Sequence, residues 1–137
     1  MADTSPINVV RDFLEALAEP DTERATSLLS PDIEWLNTGL PTFRGRRVHG
    51  MIRDMERRKV GFDVVIHHIA ADGDVVLTDR TDVLMKGRVR TEFWVCGTFT
   101  VVDGLITRWD DHFSTGNLLK GLITGTFRGL GSGRPGR

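Results

Sequence analysis

The sequence predicts an α+β domain: helices first, then a strongly curved mixed β-sheet that forms a cone packed by those helices. Three observations carry this. Before residue 60, apolar residues recur at helical spacing; from Phe62 onward they alternate. Asp-Gly dipeptides at 72–73 and 103–104 separate alternating runs, a strong hairpin signal. Gly97 lies inside the longest run, where a glycine marks a bulge or sharp bend.

The elements follow in order. Ser5-Pro6 is a helix start, a capping hydroxyl and then proline at the first helical position. Val9, Val10, Phe13, Leu14 and Leu17 form one stripe, and Pro20 ends the helix. Asp21 caps a second helix that buries Ala25, Leu28 and Leu29 and ends before Pro31. Ile33 to Asn37 is a short strand with Ile33, Trp35 and Asn37 on one face. A third helix runs from about Arg46 to Arg58 and buries Val48, Ile52 and Met55. Its Arg53, Arg57, Arg58 and Lys59 read as a solvated face, since no aromatic residue is interleaved for stacking.

The strands are Phe62 to Ala71, Val75 to Lys86, Arg88 to Val102 and Leu105 to Phe113. In the third, Val89, Phe93, Val95, Phe99 and Val101 share a face. Thr115 to Ile123 is expected to form a short lid helix. Residues 1–125 make one domain, and the Gly/Arg-rich 126–137 is expected to be a flexible tail.

Bulk properties narrow the function. A chain of 137 residues suits one domain with a real core. Net charge of −1 argues against nucleic acid or an anionic membrane as partner. Cys96 is the only cysteine, which excludes an internal disulfide and fits a reducing cytoplasm. No stretch has the basic and apolar regions of a secretory leader or the roughly 20 apolar residues of a membrane span. The adjacent His67 and His68 point to opposite faces of a strand, and His49 has no i+4 histidine, so no metal site is expected.

The chemistry concentrates in two strands. By alternation Arg80, Asp82 and Leu84 share a face, as do Trp109, Asp111 and Phe113. Each face mixes charge with bulky apolar groups. If both line one cavity, it holds two carboxylates and a guanidinium against an apolar wall. On pattern alone, a structural ion pair accounts for these residues as well as a catalytic site does. Asp79, Asp110 and His112 point to the opposite face. Cys96 has no obvious base beside it and reads as an ordinary half-buried thiol.

Three segments, Glu34-Trp-Leu-Asn37, Arg80-Thr-Asp-Val-Leu84 and Trp109-Asp-Asp-His-Phe113, resemble those of the limonene-1,2-epoxide hydrolases. That family belongs to the cone folds typified by nuclear transport factor 2 and the polyketide cyclases. The resemblance spans about Ser5 to Gly125. It implies that Asp111 is the base that deprotonates water and Asp82 the acid that protonates the epoxide oxygen. Arg80 would orient both, and Asn37 and Trp35 would hold the water. The family usually has tyrosine where this chain has Trp35, and the chain contains no tyrosine. The substrate would be a small apolar epoxide, lined by Leu84, Phe93, Val95, Trp109 and Phe113, with Leu118, Leu119 and Ile123 from the lid. No cofactor and no metal is implied, and a homodimer is. Two rival readings share the fold: a ketosteroid isomerase- or polyketide cyclase-like enzyme, and a non-catalytic hydrophobic ligand-binding module.

Overall fold

The computed structural model describes residues 5–113. Leu118, Leu119 and Ile123, the expected lid helix and the expected tail lie outside them. Three helices and six strands follow in the order α1 (Pro6–Ala18), α2 (Thr22–Ser27), β1 (Leu29–Asn37), β2 (Phe43–Arg44), α3 (Arg46–Arg57), β3 (Gly61–Asp72), β4 (Val75–Lys86), β5 (Val89–Val102) and β6 (Leu105–His112). The strands form one mixed sheet in the order β2-β1-β6-β5-β4-β3. Among the described strands, only β1 and β6 pair in parallel.

The helix starts follow local chemistry. Pro6 occupies the first turn of α1, although the Ser5 hydroxyl makes no capping bond. Asp21 caps α2 by accepting from the Arg24 amide at 3.1 Å. Asp103 and Gly104 both have positive φ, 52° and 78°, the geometry of a two-residue turn whose twist matches the β5–β6 hairpin.

Several elements differ from expectation. β1 begins at Leu29, which sequence pattern assigns to α2, and it runs through Pro31. Its ladder with β6 is irregular between Leu29 and Glu34, where proline has no N–H to donate. The two-residue β2 carries too little pattern to be read. Gly97 makes no bulge, because β4–β5 pairing runs unbroken through Thr78↔Gly97. The register breaks instead between Ile66 and His68 and between Thr100 and Val101. Such breaks bend strands and increase their twist. The first also defeats alternation at the histidines. His67 and His68 both reach outward-facing groups of β4, Thr81 and Asp79, each at 2.8 Å.

The α1 stripe lies across the concave face of the sheet. Val10, Phe13 and Leu14 pack with Ile33, Val76, Phe99, Ile106 and Trp109 in one buried cluster. Phe13 is the centre of it, meeting Trp109 edge-on at 5.1 Å and Phe99 at 6.5 Å between centroids. Val89 at the open end of β5 is exposed rather than facing the core. Met55 is only half-buried, at the edge of a cavity. Phe13→Ala removes a fully buried ring and is expected to cost about 3–5 kcal/mol, on the order of 10 °C in Tm. Thermal unfolding checks this; a shift below about 2 °C would show that the ring is not a core support.

Candidate active site

Sheet register builds the site. Asn37 pairs with Asp111, Asp111 with Gly97, and Gly97 with Thr78, so the four residues form one row across β1, β6, β5 and β4. Trp35, Trp109 and Phe99 form the row beside it. Arg80 and Asp82 follow Thr78 at two-residue steps along β4 and therefore share its inward face.

The Arg80 guanidinium bridges the two carboxylates. It is fully buried, and both aspartates are nearly so. Nε donates to Asp82 Oδ1 at 2.8 Å and Nη2 to Asp82 Oδ2 at 3.1 Å. Nη2 also donates to Asp111 Oδ1 at 2.8 Å. Nη1 donates to Thr78 Oγ1 at 2.9 Å. The cation also sits 5.7 Å from the centroid of the Phe99 ring, within cation–π range. The guanidinium reaches Asp111 by passing over Gly97. A Cβ there would collide with Arg80 Nη1 and would sit 2.9 Å from both Asp111 Oδ1 and Thr78 Oγ1.

Burial governs the protonation of all three groups. It pushes the Asp82 carboxyl above its ordinary range; the Arg80 charge and its hydrogen bonds oppose this, and the Asp111 charge adds to it. Burial likewise raises Asp111, opposed first by Arg80 and then by the Trp109 and Trp35 indoles. Burial acts to lower Arg80, but the two carboxylates outweigh it and the group stays cationic. The carboxyls share one cation and titrate as a pair.

The indoles of Trp35 and Trp109 stack at 4.2 Å with an 11° interplanar angle. Both N–H groups are buried and make no hydrogen bond of ordinary geometry. They lie close enough to Asp111 to favour its anion. Beyond them opens a cavity of about 310 Å³. Among the described residues, Asn37, Asp82 and Asp111 are its hydrogen-bonding side chains apart from the indoles. The remaining wall is Leu17, Leu40, Met51, Ile52, Met55, Phe62, Leu84, Phe93 and Phe113. Such a wall suits an apolar ligand held by a few convergent polar groups.

The structure thus brings Trp35, Asn37, Arg80, Asp82 and Asp111 together, with Leu84, Phe93, Trp109 and Phe113 in the same wall. Val95 is the exception: it is buried beside Arg80 in the ladder but does not line the cavity. Asp79, Asp110 and His112 face away, and Asp79 accepts from the Trp94 indole at 2.7 Å. Thr78 and Gly97 were missed by sequence reasoning. The signal for Thr78 was its two-residue offset from Arg80; that for Gly97 was its interruption of an inward apolar face. Among the described residues no cluster of three His, Cys, Asp or Glu side chains fits a metal ion, and no helix is long and apolar enough to cross a membrane.

Comparison with known proteins bears on this site. Residues 4–124 match the family model of the limonene-1,2-epoxide hydrolase catalytic domain. Epoxide hydrolase EphG of Mycobacterium tuberculosis is 46% identical over 117 residues, covering 85% of this chain and 78% of that protein. The solved structure of an M. tuberculosis LEH-like epoxide hydrolase superposes with a TM-score of 0.88 at 43% identity, covering 93% of this chain and 96% of the other. A putative ketosteroid isomerase from Kribbella flavida superposes at 0.64 with 20% identity, covering 80% and 77%; at that distance it shares the fold alone. A buried Asp-Arg-Asp cluster under an apolar cavity, on a chain matched over nearly its full length, leaves one assignment: this chain belongs to the limonene-1,2-epoxide hydrolase family.

Proposed function

We propose that this epoxide hydrolase opens an apolar epoxide in one step, with Asp111 as base and Asp82 as acid. The observation that carries the proposal is the sealed Asp82–Arg80–Asp111 bridge at the floor of an apolar cavity. Epoxide carbon is electrophilic through ring strain, but the alkoxide is a poor leaving group. Asp111 takes a proton from water as the water oxygen bonds to carbon. The ring C–O bond breaks, and Asp82 gives its proton to the departing oxygen. The product is a vicinal diol, and a proton passing from Asp111 back to Asp82 resets the pair.

The division of roles follows from what surrounds each carboxyl. Asn37, able to hold a water, lies on β1 beside Asp111 and lines the cavity. The buried Trp35 and Trp109 N–H groups lie close to Asp111 and favour its anion. Asp82, one strand further on the other side of Gly97, faces Phe93 in the ladder. Arg80 keeps the site cationic enough for one ionised carboxylate, and burial keeps the second protonated. Activity then rises as pH passes the first ionisation of the pair and falls as it passes the second.

Turnover of limonene-1,2-epoxide is the test. Asp82→Asn and Asp111→Asn are each expected to lower kcat by about 10²–10⁴-fold. Single turnover of the wild type in ¹⁸O-water is expected to label the diol and neither carboxylate. Near-wild-type rates would refute the role of the residue changed, and label in Asp82 or Asp111 would refute the one-step route.

The proposal extends to a cytoplasmic homodimer. The outer face of the sheet presents Val65, Leu77 and Trp94, each roughly half exposed, on the adjacent strands β3, β4 and β5. These apolar side chains, set among Asp79, Thr81 and His68 on the same face, offer surface for self-association. Light scattering is expected to give twice the chain mass for the wild type and a shift toward monomer for Trp94→Glu. A monomeric wild type would refute the dimer without touching the chemistry.

A further inference from the structure

We propose that Thr78 and Gly97 are positioning residues that pin the Arg80 guanidinium in place between the two carboxylates while charge moves from one to the other. The inference rests on the roles proposed for Asp82 and Asp111.

The reaction makes an unusual demand on Arg80. Before it, the negative charge is on Asp111 and the proton on Asp82. After it, these are exchanged. A guanidinium held only by the carboxylates follows the charge, and its movement adds to the barrier. A cation fixed by something else serves both states without rearrangement, which is how a preorganised site lowers a barrier.

The Thr78 hydroxyl is that third anchor. It accepts from Arg80 Nη1 at 2.9 Å and donates to the Gly97 carbonyl at 3.1 Å. Its proton is thereby committed to the backbone and its lone pair to the cation. The bond to Thr78 uses the one terminal nitrogen that touches neither carboxylate. Thr78 is almost fully buried, so no solvent replaces the hydroxyl when it is removed. Gly97 supplies the space. It stands between Thr78 and Asp111 in the transverse row, and a methyl group there would occupy the position of Nη1. Phe99 supports the cation on a further side.

Kinetics on limonene-1,2-epoxide separate positioning from simple support. Thr78→Val keeps the shape and removes the acceptor. It is expected to lower kcat roughly 10–100-fold, the scale of a misplacement of about 1 Å, with KM within about twofold. The kcat/KM pH profile should move in at least one limb, because Arg80 is then free to shift its hold between Asp82, on which it places two bonds, and Asp111, on which it places one, the charged groups that contact it. Thr78→Ser, which retains the hydroxyl, should recover most of the rate. Gly97→Ala should reproduce the Thr78→Val phenotype. Thr78→Cys, with a weak acceptor, should fall between Ser and Val and serves if Thr78→Val does not fold.

Wild-type kcat with an unmoved pH profile in Thr78→Val, or in Thr78→Cys if Val fails to fold, would overturn the proposal. So would a loss that tracks only the folded fraction, or one that serine does not restore. These outcomes are distinct from failure of the underlying mechanism, in which Asp111→Asn or Asp82→Asn would itself retain activity.

Discussion

A guanidinium sealed from water between two carboxylates constrains everything else in this molecule. With both aspartates ionised, the cluster would carry a net negative charge in apolar surroundings. An uncompensated buried charge costs several kcal/mol, so retention of one proton is the natural neutral state. Burial raises both carboxyls while Arg80 opposes the rise. That competition would keep the proposed acid and base available together, with Asn37, Thr78 and two indoles as the other hydrogen-bonding groups among the described residues. The same constraint makes the cluster structural as well as chemical, since removing one member leaves its neighbours buried and unpaired.

The sheet exists, in functional terms, to bring β4 and β6 within reach of one side chain. They are not neighbours; β5 separates them. A strand intervening at this point normally contributes an inward side chain, and only glycine at position 97 leaves a corridor for the guanidinium. The parallel pairing of β1 with β6 then adds Trp35 and Asn37 beside Asp111. Helix α1 contributes Leu17 to the cavity wall, and its Phe13 meets edge-on the same Trp109 that borders the cavity. Core and site are thus continuous.

Much of this was readable from residues. Helical stripes, hairpin turns and two-residue alternation locate nearly every element and put Arg80 with Asp82 and Trp109 with Asp111 on inward faces. What resisted reading depends on register and on breaks in it. Alternation assumes an unbroken strand, so the irregularity after Ile66 sent His67 and His68 to the same side rather than to opposite ones. Gly97 was legible as an exception, but a missing side chain does not say whether it permits a bend or makes room for a neighbour. Val95 alternates correctly and is buried, yet the cavity opens beyond Phe93 and not above Val95. Strand β2 pairs through only Glu34↔Arg44 and Trp35↔Phe43, too short a stretch for any periodicity.

The most direct test of the central claim is to watch the two carboxyls titrate. In protein labelled with ¹³C at the aspartate carboxyl carbons, the signals of Asp82 and Asp111 are assigned by their loss in the asparagine variants. One of the pair is expected to remain protonated after the exposed aspartates have ionised, above the ordinary aspartate value of 3.8, and each signal is expected to respond to the ionisation of the other. Two carboxyls that ionise independently and together with the surface aspartates would contradict that claim.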